Sequence, residues 1–261
     1  MAEIIHTKYK FRRVIFKIIR SLRSPFSTML VLKDLIKFRS YSDHRFTSSL
    51  LDLYPIKGEA TPKTKFDRHY VYHPAWATRV VKEINPEFHI DISSSLHFCA
   101  NLSAFIKVKF YDYRPASLIL DGLETHSANL MALPFKTDSV ESISCMHTIE
   151  HIGLGRYGDK IDPIGDIKAI KELKRVVKPG GSLLIVTPIG KPRIEYNAHR
   201  IYSPSQIVDL VTSEKNYSLK EFTFIPQTDE EGGMVRHASL SSADNSYYAC
   251  GCFWFIKNDN N

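Results

Sequence analysis

The chain has 261 residues, 43% of them hydrophobic and 24% charged, with a formal net charge of +7. That is ample for one large core, with or without an appended segment. No apolar run approaches the roughly eighteen residues a membrane-crossing helix needs, and the basic excess sits at one end. Lys8, Lys10, Arg12, Arg13, Lys17, Arg20 and Arg23 face Glu3 alone within residues 1–24, which leaves the rest close to neutral and without a strong nucleic-acid signal.

Read as a helix, residues 8–23 place Phe11, Val14, Ile15, Ile18, Ile19 and Leu22 on one face and most basic residues opposite. The pattern suits contact with a membrane surface or a partner, and equally a helix packed on its own domain. Its charges interrupt the apolar positions, unlike those of a signal peptide. Ser24-Pro25 breaks it, Thr28–Phe38 reads as a second helix, and Pro55–Lys65 as a Pro/Lys linker. Residues 1–65 thus read as a basic helical extension and 66–261 as the main domain.

Pro74–Ile84 reads as a helix stopped by Asn85-Pro86, after which strand and helix alternate, the mark of a parallel sheet. Phe88–Ile92 is a strand, Leu96–Phe105 a helix and Val108–Tyr111 a strand; another strand lies near Ser127–Leu130, and Val140–Met146 follows. Asp162-Pro163 opens a helix running to Lys178, with Asp as N-cap, Pro at the first position and Ile167, Ile170, Leu173 and Val177 as its buried stripe. Lys178-Pro179-Gly180-Gly181 ends it, and Ser182–Thr187 returns as a buried strand. A helix from Ser205 and strands Leu219–Ile225 and Tyr247–Ile256 complete a roughly seven-stranded, mostly parallel, Rossmann-like α/β sheet. Cys99, Cys145, Cys250 and Cys252 are too scattered for a disulfide framework and suit a reducing, cytoplasmic setting. Cys250 and Cys252 share one strand face, as small buried thiols would.

The densest chemistry lies in Met146–Asp166, MHTIEHIGLGRYGDKIDPIGD, with two histidines, four carboxylates, an arginine and four glycines. It follows a strand directly, and the carboxyl end of a strand in an open α/β sheet is where ligands bind. The plain alternative is a solvated loop whose glycines only turn the chain. His147-x-x-Glu150-His151 also spells a zinc-peptidase pattern, but that pattern needs a helix, and Gly153 and Gly155 argue against one.

LPFKTDSVESISCMHTIEHI and LKRVVKPGGSLLIVTP resemble the adenine-loop and fifth-strand motifs of class I S-adenosylmethionine-dependent methyltransferases, over about residues 70–256. HIDISSSLHFCANLSAF, EHIGLGRYGD-IDP-GD and NAHRIYSP are similar to a narrower methyltransferase-like family of unknown function, DUF268. The resemblance implies S-adenosylmethionine as cofactor and methyl transfer as the reaction. It implies that Asp91 steadies the amino-acid end of the cofactor and that Asp112 takes the ribose hydroxyls. Asn129 and Leu130 then sit at the adenine. Asp112 has a second reading, a turn residue before Arg114-Pro115. The family's glycine-rich turn is replaced by Ser93-Ser94-Ser95, so Ser93 and Ser95 stand where glycines would.

The resemblance extends to methyltransferases of the ubiquinone pathway and of small-RNA ends, in which E-x-x-E-H holds a divalent ion. Here His147 replaces the first Glu, Glu150 and His151 match, and His199 follows the fifth strand. These four are the implied metal ligands, a donor set suiting Mn, Fe, Co or Zn better than Mg. They should converge within about 5 Å of one point. Without a metal, His147 or His151 is the general base, with Glu150 beside them. Arg156, Tyr157, Asp159, Asn197 and Arg200 are the candidate substrate residues. The family link suggests a hydroxyl-bearing acceptor such as a glycan or lipid-linked glycan in surface-polysaccharide synthesis. The competing class is a non-catalytic binding module that keeps the fold, and a metal hydrolase stands third.

Overall fold

The computed structural model describes residues 25–41, 45–56, 58–228 and 232–259. The basic segment 8–23, with its membrane reading, lies outside them. The chain divides at Lys65/Phe66 into two units. In the first, helix α1 (Pro25–Ser40) spans the expected second helix and begins at a proline, whose missing N–H costs nothing there. A short turn at Leu50–Asp52 is capped by Ser49.

The second unit is built on a seven-stranded sheet in the order β3-β2-β1-β4-β5-β9-β8. Its strands are β1 (Phe88–Ile92), β2 (Lys107–Asp112), β3 (Leu123–Ser127), β4 (Val140–Met146), β5 (Val177–Ile189), β8 (Tyr217–Ile225) and β9 (Ala249–Lys257). β6 (Arg193–Glu195) and β7 (His199–Ile201) form a separate hairpin. β3, β2, β1, β4 and β5 pair in parallel, whereas β9 runs antiparallel to both β5 and β8. The order reverses between β1 and β4, the switch point at which such sheets open a crevice.

Alternate residues of the central strands serve opposite layers. Leu183 and Ile185 pack with Ile170, Leu173 and Phe253 on one side, under α4 (Gly165–Val176) and α5 (Pro204–Thr212). Leu184 and Val186 pack with Trp76, Val80, Met146, Cys250 and Cys252 on the other, under α2 (Arg68–Ile84) and α3 (Leu96–Leu102). Cys250 therefore faces α2, a placement that governs the site.

Several boundaries differ from expectation; β5 begins at Val177 rather than Ser182, so Lys178-Pro179-Gly180-Gly181 lies in the strand instead of ending the helix. α2 begins at Arg68 rather than Pro74, because Asp67 caps it by accepting from Tyr70 N at 3.2 Å. Pro74 then lies inside the helix, where the buried face His69, His73, Trp76, Ala77 and Val80 outweighs one missing backbone bond. β3 lies at Leu123–Ser127, and the apolar residues after it belong to a turn, with Asn129 Oδ1 accepting from Met131 N at 2.9 Å. Asp162 is not the cap of α4; its carboxylate accepts from Ile164 N in a turn, and the helix starts at Gly165. Ile167 consequently faces solvent, while Asp166, Ala169, Ile170, Leu173 and Val176 are buried.

Candidate active site at the carboxyl edge of the sheet

His147, directly after β4, has φ +54°, a left-handed turn that throws the following residues across the sheet edge. A single 3-10 turn, Ile149–His151, follows. Gly153 then has φ +80°, and a Cβ there would sit 2.1 Å from the Asp162 carbonyl, so the loop closes only over glycine. Asp159 Oδ2 accepts from Gly153 N at 2.9 Å, which makes Asp159 a turn residue, although it also borders a cavity.

Two cavities of about 520 and 380 Å³ open here and share Ser93, His147, His151 and Tyr157 as a common wall. The smaller is bordered by Asp112, Asn129 and Leu130 at the ends of β2 and β3. Asp112 Oδ1 accepts from Arg114 N at 2.6 Å, so the expected turn role and a free second carboxylate oxygen coexist. Ser93 has φ +56°, adopting the left-handed conformation for which glycine is otherwise chosen. Ser95 borders the larger cavity and caps α3.

Asp91 departs from its expected place. It is fully buried below the crevice, borders neither cavity, and accepts from the Ser144 hydroxyl and, at 3.0 Å, from Cys99 Sγ. Burial pushes its carboxyl up to about 6 despite those donors. The β1 alternation turns its side chain into the sheet layer rather than toward the turn.

Along the larger cavity, Glu150 is 1% exposed. It places Oε1 3.1 Å from His147 Nδ1 and 3.8 Å from His151 Nε2. His151 Nδ1 lies 2.6 Å from the Ala198 carbonyl. A carbonyl only accepts, so Nδ1 carries the proton and Nε2 keeps a lone pair. Arg156 reaches the same carbonyl at 3.0 Å and lies over the Tyr157 ring. Burial lowers the His151 pKa, and Arg156 and His199 lower it further, against Glu150 and the Ala198 carbonyl.

The four expected metal ligands do not form one group. Among the described residues the histidine, cysteine and carboxylate set whose ligand atoms converge within 4.8 Å is His69, His147 and Cys250. His199 instead lies on the β6–β7 hairpin with Nε2 3.4 Å from Glu195 Oε2, close but without hydrogen-bond geometry. Two substrate assignments also change. Arg200 is buried and donates to the carbonyls of Ile152 at 2.7 Å and Pro163 at 3.3 Å, so it pins the loop instead of facing ligand. Asn197 is exposed at the hairpin tip and borders neither cavity.

The family described as a Caenorhabditis protein of unknown function, DUF268, matches residues 131–220. The ubiquinone/menaquinone biosynthesis C-methyltransferase UbiE of Escherichia coli is 29% identical over 138 residues, covering 50% of this chain and 49% of its own. The chain thus spans about half the length of the curated relatives it matches. Among solved structures, a complex between the Haloferax volcanii Trm112 methyltransferase activator and a methyltransferase contains a chain superposing with TM-score 0.51. That chain is 14% identical, and the match covers 74% of this chain and 91% of the other. A chain described as a sarcosine dimethylglycine methyltransferase from Galdieria sulphuraria superposes with TM-score 0.50 at 10% identity, covering 73% and 86%. In this chain one antiparallel strand is inserted beside the sheet's edge strand. The chain has the Rossmann-like fold of these methyltransferases.

Within this methyltransferase fold, the DUF268 match covers β4, the His147–Asp166 loop, α4, β5 and the β6–β7 hairpin, and with them most of the walls just described. It omits three site residues that the sequence reading also missed. His69, in the first turn of α2, stacks on His147 with ring centroids 5.7 Å apart. Tyr248 also stacks on His69, at 5.2 Å. Cys250 Sγ lies 3.6 Å from His147 Nε2. Burial opposes charge on this thiol and imidazole, but a hydrogen bond from Cys252 and the imidazole lower Cys250, and the thiolate and Glu150 raise His147. Burial keeps His69 and His73 below the ordinary histidine value. The signal for them was the His69–His73 spacing of four, which places both rings on one helix face.

Proposed function

We propose that the chain is an S-adenosylmethionine-dependent methyltransferase acting on a hydroxyl-bearing acceptor, with His151 as general base. The observation that carries this reading is the wall shared by the two cavities, because His151 borders both. The smaller cavity fits the cofactor's adenosine end. Asp112 offers a carboxylate oxygen for ribose hydroxyls, Asn129 and Leu130 lie beside it, and Ser93 gives the tight turn without a glycine. When bound, S-adenosylmethionine supplies an electrophilic methyl group on a sulfonium.

The residues of the larger cavity then have separate tasks. His151 Nε2 takes the acceptor's proton, Ala198 fixes the tautomer, and Glu150 stabilises the imidazolium that results. His147, held protonated, is unsuited to the base role that it shared with His151 in the sequence reading. Positioning supplies most of the remaining acceleration. Tyr70, Tyr157 and Tyr248 with Arg156 and His199 give this cavity aromatic faces and hydrogen-bonding groups that suit a sugar ring. The curated relative is a C-methyltransferase, so the oxygen assignment rests on that polar wall. A glycan or lipid-linked glycan acceptor extends the same reading, with residues 8–23 as the contact to an anionic membrane surface.

Calorimetric titration with S-adenosylmethionine tests the cofactor. Saturable binding is expected, and Asp112→Ala should weaken it roughly ten- to hundred-fold, the worth of one charge-assisted bidentate contact. Absence of binding at millimolar concentration in the parent would leave a non-catalytic binding module as the better reading. Deleting residues 1–24 should abolish salt-sensitive binding to anionic vesicles and leave the fold of the second unit intact. An insoluble truncated chain would remove the membrane-contact idea.

A further inference from the structure

We propose that His69, His147 and Cys250 form a site for one divalent ion of the zinc class at the floor of the larger cavity. The site goes beyond the methyl-transfer reading and stands without it. The three residues come from α2, β4's end and β9, and one ligand atom of each lies within 4.8 Å of the others. His147 Nε2 and Cys250 Sγ are 3.6 Å apart. A tetrahedral ion about 2.3 Å from sulfur and about 2.1 Å from nitrogen sets its ligands at close to that spacing. His69, though buried, has Nε2 without a hydrogen-bond partner. Buried polar atoms are seldom left so, and an ion in the cluster supplies what the protein does not.

The surroundings are those of a ligating imidazole. Glu150 Oε1 accepts from His147 Nδ1 at 3.1 Å, which orients the ring and leaves Nε2 for a metal. The ion replaces the proton between Nε2 and Sγ, so binding releases that proton. Two imidazoles and a thiolate favour zinc or cobalt(II) over magnesium or calcium. Three protein ligands leave a fourth position, and His69 and His147 border the cavity, so an oxygen or sulfur anion entering there completes the tetrahedron. Trp76 Nε1 donates to Glu221 Oε1 at 2.8 Å and ties α2, which carries His69, to β8.

Cobalt(II) chloride titrated into the purified full chain tests the site by absorption. One equivalent should bind with a thiolate-to-cobalt charge-transfer band and the visible bands of a tetrahedral ion, and zinc should displace it. Cys250→Ser should abolish the charge-transfer band, and His69→Ala should weaken binding at least about tenfold. Cys145→Ala and His199→Ala should change neither. A band that survives Cys250→Ser, or loss of binding in His199→Ala but not in His69→Ala, would overturn the assignment. The unmodified chain decides on its own should a variant misfold: no stoichiometric cobalt, or bound cobalt without the thiolate band, eliminates the site.

Discussion

An Arg236→Ala chain is expected to be less stable than the parent by about 3 kcal/mol at neutral pH. Glu221 is 2% exposed. It accepts from Trp76 Nε1 at 2.8 Å, Thr223 Oγ1 at 2.6 Å and Arg236 Nε at 2.9 Å, with a further bond from Arg236 Nη2. Removing the guanidinium leaves a buried carboxylate short of its charge partner. The Arg236 side chain is itself 32% exposed, so water partly replaces it and the loss falls at the low end of the range for buried pairs. Burial alone would raise the Glu221 pKa, but Arg236, Thr223 and Trp76 hold it down at about 2 against the ordinary 4.5. A lowered carboxyl stabilises the fold above its unfolded value and loses that contribution as pH falls from about 4.5 toward 2. Urea unfolding of parent and variant at pH 7 and pH 3 checks both statements. The gap should shrink at the lower pH, and a gap under about 1 kcal/mol at pH 7 would mean the pair acts as an ordinary surface contact. The network matters for the site because Trp76 fixes the helix that carries His69 and Tyr70.

The sheet was legible because its information is local. β1 and β4 read correctly to the residue, since each is a short stretch with apolar residues at β1's alternate positions and along β4, bounded by turn residues. α5, expected from Ser205, begins at Pro204 behind a capping box of Ser203 and Gln206. The misplaced elements are those where a local signal meets a tertiary one. Pro74 looks like a helix start, yet the buried stripe beginning at His69 carries the helix through it. Asp162-Pro163 looks like a cap and first turn, yet Arg200 and the Gly153 closure hold those residues in the loop.

The site divides along the same line. The loop after β4 and the residues after β2 and β3 follow from motif and topology, so Asp112, Asn129, Glu150 and His151 all border the crevice. Whether a side chain faces the crevice or the layer beneath depends on a single strand register, and for Asp91 that register points inward. Cys250 and His69 were hidden for a different reason. They lie far apart in sequence, and only the antiparallel insertion of β9 beside β5 brings that strand's thiols under α2.

Replacing His151 with asparagine is expected to lower methyl transfer by roughly 10²- to 10⁴-fold, the usual worth of a positioned general base. Asparagine keeps a polar group near the Ala198 carbonyl but offers no basic nitrogen at the Nε2 position. S-adenosylmethionine affinity should change little, because the ribose contact assigned to Asp112 is elsewhere in the smaller cavity. The pH profile distinguishes a base from a positioning residue. The neutral imidazole is the active form, and burial holds its pKa below the ordinary 6.5, with Glu150, Arg156 and His199 as the charged or titratable groups around it. The parent's rate should therefore be flat near neutrality and fall only below about pH 6.5, where the ring takes up a proton. Arg156→Ala removes a positive neighbour, so the inflection should move upward, while His151→Asn should lose it. The measurement is release of S-adenosylhomocysteine across a panel of hydroxyl acceptors, with the variants compared on the acceptor that the parent turns over fastest. If His151→Asn retains the parent's rate and its inflection, proton removal does not occur at His151 and the base assignment fails.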